Sequence, residues 1–352
     1  MRADADLASW LVGLHAVPAG RRVAVVEEPG ALLQLRRNGW VDRGTRVFLR
    51  AREGYPLPAA LDALPLLTGF RGTFGQPGHR IDLDDGYVLQ RIPYADAEFR
   101  AVELPTELRV WGHEDYSAFL RDFDDAVTDG GFPSHLTNPL TILADEPALG
   151  GEDPSSAGID RRLFVADGGS VSTSPTGPRL GAVDDDPATW AAAIVHRGGD
   201  SRAPGGAALG AILSDRDRRD ALAERPALRR YLRVVRAQRA ARARRRLILR
   251  ISGFGGRLTP GLPAANGADP VDFPVLASAG SQLWILPGHG TEPELATPEQ
   301  IAVLETRVCF PDPRDRLIWA FQHLGMTADR YRAVTAALLP ESAGLAATAE
   351  RN

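Results

Sequence analysis

The strongest constraint on this chain is its punctuation between Thr297 and Leu339, TPEQIAVLETRVCFPDPRDRLIWAFQHLGMTADRYRAVTAALL. Thr297-Pro298-Glu299-Gln300 is a nearly complete helix start, with Thr as N-cap, Pro at the first helical position and Gln closing a capping box. Ile301, Val303 and Leu304 give the first helix an apolar face. Asp312-Pro313 opens a second helix, whose Leu317, Ile318, Phe321 and Leu324 are expected to face inward, and Gly325 stops it. Thr327 opens a third, with Tyr331, Val334 and Leu338 at core spacing. Helices this short are marginal alone and must pack on something.

What precedes them supplies the surface. FPVLASAGSQLWILPG reads as a hairpin turning at Ala279-Gly280, and TEPELAT adds a short third strand. Three strands and three helices make a small winged-helix-like module. Such a unit can lay a helix on DNA, hold a peptide, or only close a core.

Upstream, RVAVVEE, ALLQLR, RVFLRA, RIDLDDGYVLQRI and FRAVEL read as strands, with a hairpin turn at Asp85-Gly86 and a helical interruption, PLPAALDALPLLTGF. HEDYSAFLRDFDDAVTDGGF is an amphipathic helix with Tyr116, Phe119, Leu120, Phe123 and Val127 on one face. RRLFVADGG is a strand, followed by the loop SVSTSPTGPRLGAVDDDPATW, expected at the surface. From Ser214 to Arg250 an arginine-dense helix is broken by Pro226, and TPGLPAANGADP reads as a linker. The expected class is α+β: residues 1–205 a mixed α/β body, 206–250 an Arg-rich helical connector, 251–345 the winged-helix-like module. At 352 residues the chain has room for this.

Chemistry-bearing motifs are scarce. One cysteine, Cys309, excludes a cysteine-built zinc or iron–sulfur site. The histidines stand singly, without HxH or HExxH spacing. SGFGGRL lacks the third glycine of a dinucleotide fingerprint, and Thr259-Pro260-Gly261 ends the run where a helix should begin. The Ser/Thr-rich loop, with Arg179 beside it, lacks the lysine of a phosphate-binding P-loop. No catalytic residue, metal or organic cofactor is assigned. No run of ~18 apolar residues predicts a membrane span, and the acid-bearing start MRADADLASWLVGLHAVPAG does not read as a signal peptide, so the expected location is cytoplasmic.

All 41 basic residues are arginine, which reflects a GC-rich genome before it reflects function. Net charge is −4, so any attraction for nucleic acid must be local. RVVRAQRAARARRR is first a solvated helix with Leu228, Tyr231, Leu232 and Val235 buried, then an acidic-protein contact, and last a DNA contact.

ELATPEQIAVLE followed by HLGMTADRYRAVTAALL resembles the PqqD-like RiPP recognition element, over roughly Phe273 to Ser342. With ELRVWGHEDYSAFLRDFDDAV, HLTNPLTILADEPALGG and RLFVADGGSVSTSPTGPRLGAV ahead of it, the whole chain resembles the actinobacterial daptide biosynthesis RiPP recognition proteins. The resemblance implies a non-catalytic partner that binds a precursor's leader peptide by strand addition. It also implies presentation of that peptide to an oxidative decarboxylase and an aminotransferase. Glu294 and Leu295 of the third strand, with Arg330, Tyr331 and Val334 of the third helix, would line the groove. Arg330 would pair with leader acids, and Leu295 and Val334 would form an apolar pocket. The alternatives are a helix-turn-helix DNA regulator reading through Arg330 and Arg332, or an enzyme with a dispersed site in residues 21–199, around His113, His135 or Arg179. The acids of the C-terminal module argue against DNA.

Overall fold

The structure, a computed structural model, describes residues 3–13, 21–51, 66–151, 158–197, 206–245, 248–264, 269–270, 273–286 and 293–338. It is of α+β class and divides into two compact units. The first comprises Met1–Arg121 and Pro133–Leu232; the second comprises Asp122–Phe132 and Arg233–Asn352.

In the first unit α1 (Ala3–Val12), β1 (Val23–Val26), α2 (Ala31–Arg37), β2 (Arg46–Arg50), β3 (Leu67–Arg71), β4 (Ile81–Leu83) and β5 (Val88–Pro93) come first. After a 3-10 turn at Tyr94–Phe99 follow β6 (Thr106–Arg109), α3 (His113–Asp129), α4 (Ser134–Thr137), β7 (Thr141–Leu143), α5 (Glu146–Leu149) and α6 (Gly158–Arg161). Then come β8 (Arg162–Val165), β9 (Ser170–Ser172), β10 (Gly181–Ala182), α7 (Pro187–Arg197), α8 (Gly206–Leu209) and α9 (Asp215–Glu224); α10 (Leu228–Arg245) follows and, like α3, is divided between the units, after Leu232 and Arg121 respectively. The ten strands form one sheet in the order β10-β9-β8-β1-β2-β3-β4-β5-β6-β7, parallel from β8 to β3 and from β5 to β7.

Strand β1 reads VAVV because both of its faces are covered. Ala24 and Val26 join α2 and Trp190 of α7 on one side, while Val23 and Val25 meet Leu7, Trp10 and Leu11 of α1 on the other. Trp10 and Trp40 satisfy their indole N–H groups on the carbonyls of Leu163 (3.2 Å) and Ile159 (3.1 Å).

Several local expectations change. ALLQLR is helix α2, not a strand, because Leu32 and Leu35 bury at helical spacing; a stretch this short with four apolar residues fits either period. FRAVEL forms no strand, and β6 starts only after Pro105. Most of PLPAALDALPLLTGF lies outside the described residues, and its end is strand β3. The arginine helix is no solvated connector. Leu228, Tyr231, Leu232 and Val235 are buried as expected, but so are Val234, Gln238 and the whole of Arg230, and the division between units falls inside α10.

The second unit holds β11 (Arg250–Ile251), β12 (Val275–Ala279), β13 (Gln282–Leu286), β14 (Glu294–Ala296), α11 (Pro298–Cys309), α12 (Pro313–Leu324) and α13 (Ala328–Leu338). Its sheet is an antiparallel meander of four strands, one more than expected, because β11 adds to β12. Gln238 fixes the approach to β11, donating to the Leu249 carbonyl (2.6 Å) and accepting from its N–H (3.0 Å). Gly255 makes the bend that follows: its φ is +68°, and a Cβ there would lie 2.4 Å from the backbone of Asp129 and Gly130.

The helix punctuation holds in detail. Thr297 and Gln300 form the reciprocal capping box, Asp312 caps α12, and Gly325 ends it at φ +63°. Glu305, fully buried on α11, accepts from Ser252 Oγ (2.5 Å) and from the N–H groups of Leu258 (2.7 Å) and Thr259 (2.8 Å). The supposed linker therefore begins tethered to α11. It is tied again where Arg257 clasps Asp269 through two bonds, of 3.0 and 2.8 Å.

Candidate functional site

Two constellations stand out, one within each unit. In the first, Arg91 of β5 and Glu107 and Arg109 of β6 project from neighbouring strands into the interior, with Asp145 just beyond β7 and Arg162 at the start of β8. Arg91 and Arg109 both bind Glu107, Arg109 also binds Asp145, and Arg162 binds the other Asp145 oxygen (2.5 Å). Burial opposes charge on Glu107, yet the two guanidinium groups outweigh it and draw the carboxyl down to about 2. Asp145 sits at φ +53°, the one described non-glycine residue with positive φ, where short polar side chains are best tolerated.

The hydroxyl-rich loop closes this layer. Ser174 donates to Asp145 (2.7 Å) and accepts from Arg109 (2.9 Å), while Thr173 and Thr176 donate to the carbonyls of Ala207 (2.6 Å) and Ala208 (3.0 Å). The loop was expected at the surface; instead Thr173, Ser174 and Thr176 are buried because each hydroxyl has a partner inside. Arg179, the charge beside the loop, is exposed and donates to the Gly181 carbonyl. Arg91 and Glu27 divide the next loop between them. Arg91 takes the carbonyls of Thr73, Phe74 and Gln76, while Glu27 takes the N–H groups of Phe74 and Gly75 and the Thr73 hydroxyl. This pattern fastens backbone. His113 meets Asp217 at 3.8 Å and His135 packs edge-on against Tyr94, so neither enters the charged layer. Among the described residues no group of three or more His, Cys, Asp or Glu could hold a metal ion, and no helix is long and apolar enough to cross a membrane.

The second constellation is a cleft of about 550 Å³ in the second unit. Leu283 of β13, Ile301 and Ala302 of α11, and Leu324 and Met326 around the α12–α13 turn supply its apolar wall. Glu299 and Arg330 supply its charge, joined by two parallel bonds of 2.9 Å from Nε and Nη2 of Arg330. The bonds from Arg330 hold the Glu299 carboxyl below its usual range. Beside Leu283, β14 closes the sheet order; among the described residues it hydrogen-bonds only β13.

The five expected groove residues separate here. Arg330 lines the cleft. Glu294 is exposed on β14, paired in register with Ile285. Leu295 is 69% exposed but pairs with Trp284, so alternation puts it on the sheet face opposite Leu283 and Ile285. Tyr331 and Val334 are core: both pack with Val303, Ala320 and Met326, and the Tyr331 hydroxyl meets Thr306 Oγ1 at 3.0 Å. The expected pocket between Leu295 and Val334 therefore does not exist. Ile318 and Phe321, expected inward, are 52% and 67% exposed, because α12 buries Trp319 and Ala320 instead.

Sequence reading missed Glu299, Ala302, Leu324 and Met326 as cleft residues. Only Glu299, an acid in the first turn of α11, had a local signal, and that signal pointed to helix capping. No family model, curated protein or solved structure matches this chain.

Proposed function

We propose that this chain is a non-catalytic, cytoplasmic recognition protein that captures the leader of a ribosomally made precursor peptide. It would present the precursor to the enzymes that modify it, an oxidative decarboxylase and an aminotransferase. The observation that carries this reading is strand β14, at the end of its sheet beside an apolar cleft. An extended peptide added there would satisfy backbone groups along β14 and alternate its side chains between the cleft and Leu295. The DNA alternative loses ground because Arg330 and Arg332 each stand beside a carboxylate, of Glu299 and Asp329, that would repel DNA phosphate.

The test is fluorescence polarisation with the full chain, titrating labelled leader peptide and, separately, labelled duplex DNA across a salt series. Saturable peptide binding with gentle salt dependence, weakened by Leu324→Glu in a still-folded protein, is the expected outcome. Leu324 lines the cleft and is partly exposed, so its replacement spares the core. Binding of DNA alone, falling steeply as salt rises, would replace the proposal with a regulator.

A further inference from the structure

The Glu299–Arg330 pair has a property that the apolar wall does not explain. Arg330 lies in the first turn of α13, where the helix dipole disfavours a cation, and its side chain is 61% exposed. Glu299 lies in the first turn of α11, where the dipole favours an anion whether or not Arg330 is bound. Arg330 therefore needs an anion, while Glu299 does not need a cation. An exposed pair of this kind is weak and exchanges readily. It is also the one ion pair among the described residues whose two members both line the cleft.

Resting on the peptide-capture reading, we infer that Arg330 gives the cleft a preference for peptides with a carboxylate and that Glu299 is a built-in competitor that attenuates this preference. The occupant is an extended segment whose Asp or Glu displaces Glu299 from the Arg330 fork. A strand's side chains share a face at every second residue. The residue two positions from that acid then lies over the wall of Leu283, Ala302 and Met326 and should be apolar. Peptides without the acid leave the Glu299–Arg330 pair closed and gain only the backbone and apolar contacts. Glu299 thus sets how strongly the cleft distinguishes an acid-bearing peptide from its neutral twin, while Arg330 supplies the contact.

The experiment uses the full chain and two fluorescein-labelled, end-blocked probes: a short peptide alternating Leu and Thr with one central Glu, and its twin with Gln in that place. Glu299→Gln should tighten the Glu probe by about fivefold, the scale of one surface ion pair, and leave the Gln probe unchanged. Arg330→Gln should erase the preference in either background. Both residues are exposed enough that thermal melts of the variants should overlay the parent. If Glu299→Gln moves both probes equally, or neither, while both still bind, the competitor role is overturned and peptide capture stands. If neither probe binds the parent chain at any concentration reached, both inferences fall together.

Discussion

Arg109 in the first unit and Arg330 in the second each meet carboxylates through a forked guanidinium, yet one is sealed from water and the other stands in it. Arg109, Glu107 and Asp145 are almost wholly buried, and their neighbours Ser174 and Thr176 add hydroxyls to the same layer. Arg330 and Glu299 have one another and water. In the buried layer each charge has already lost its hydration, so removing one member strands the rest. In the exposed pair, water replaces whatever is taken away. The same residue types therefore make a structural bond in one unit and an exchangeable one in the other.

The sharpest way to break this comparison is Arg109→Met. It leaves Glu107 and Asp145 buried with part of their compensation gone, a loss of about 3–5 kcal/mol for a buried pair. Urea unfolding of the full chain should show it as a large shift in midpoint. A variant as stable as the parent would mean that water reaches the layer and that the contrast with Arg330 is false.

Acid sharpens the same contrast. Arg91 and Arg109 overcome burial to hold the Glu107 carboxyl at about 2, against about 4.3 in an unfolded chain. A depressed carboxyl stabilises the fold fully above the unfolded value, and that contribution fades as pH falls towards the folded one. It amounts to about 3 kcal/mol. The stability gap between the parent and Glu107→Gln should stay constant from neutral pH to about 5 and then close towards about pH 2. A gap that remains open at the acid end would show that Glu107 is not ionised in the fold.

Local chemistry explains which parts were legible in sequence. The caps at Thr297, Asp312 and Gly325 are decided within a few residues, and each appears where its side chain or glycine demands. Strand β1 and the hairpins at Asp85-Gly86 and Ala279-Gly280 declare themselves for the same reason. Facing is harder. Ile318 and Phe321 match a helical period as well as Trp319 and Ala320 do, and only the packing of α12 against α11 and α13 selects between them. The resemblance made Leu295 and Val334 partners in one pocket, but strand alternation turns one away and helix packing buries the other. The charged layer was the least legible. Its members lie on three strands and two loops from Arg91 to Thr176, and nothing in RVWG or TSPTG announces that Arg109 and Ser174 meet.

The smallest effects separate stability from recognition within the second unit. Thr297→Ala removes the side-chain half of the capping box and should cost about 1 kcal/mol. The helix keeps Pro298 at its start, so the fold should survive with a slightly lower melting temperature. Glu299, two residues away, should behave differently: Glu299→Gln loses an exposed ion pair whose stabilising effect water and salt largely offset. Its melt should overlay the parent while its affinity for an acid-bearing peptide rises. Were Glu299→Gln instead to destabilise the fold as much as Thr297→Ala, the pair would be a helix brace. The comparison with Arg109 would then be one of degree, because both arginines would be committed to holding structure.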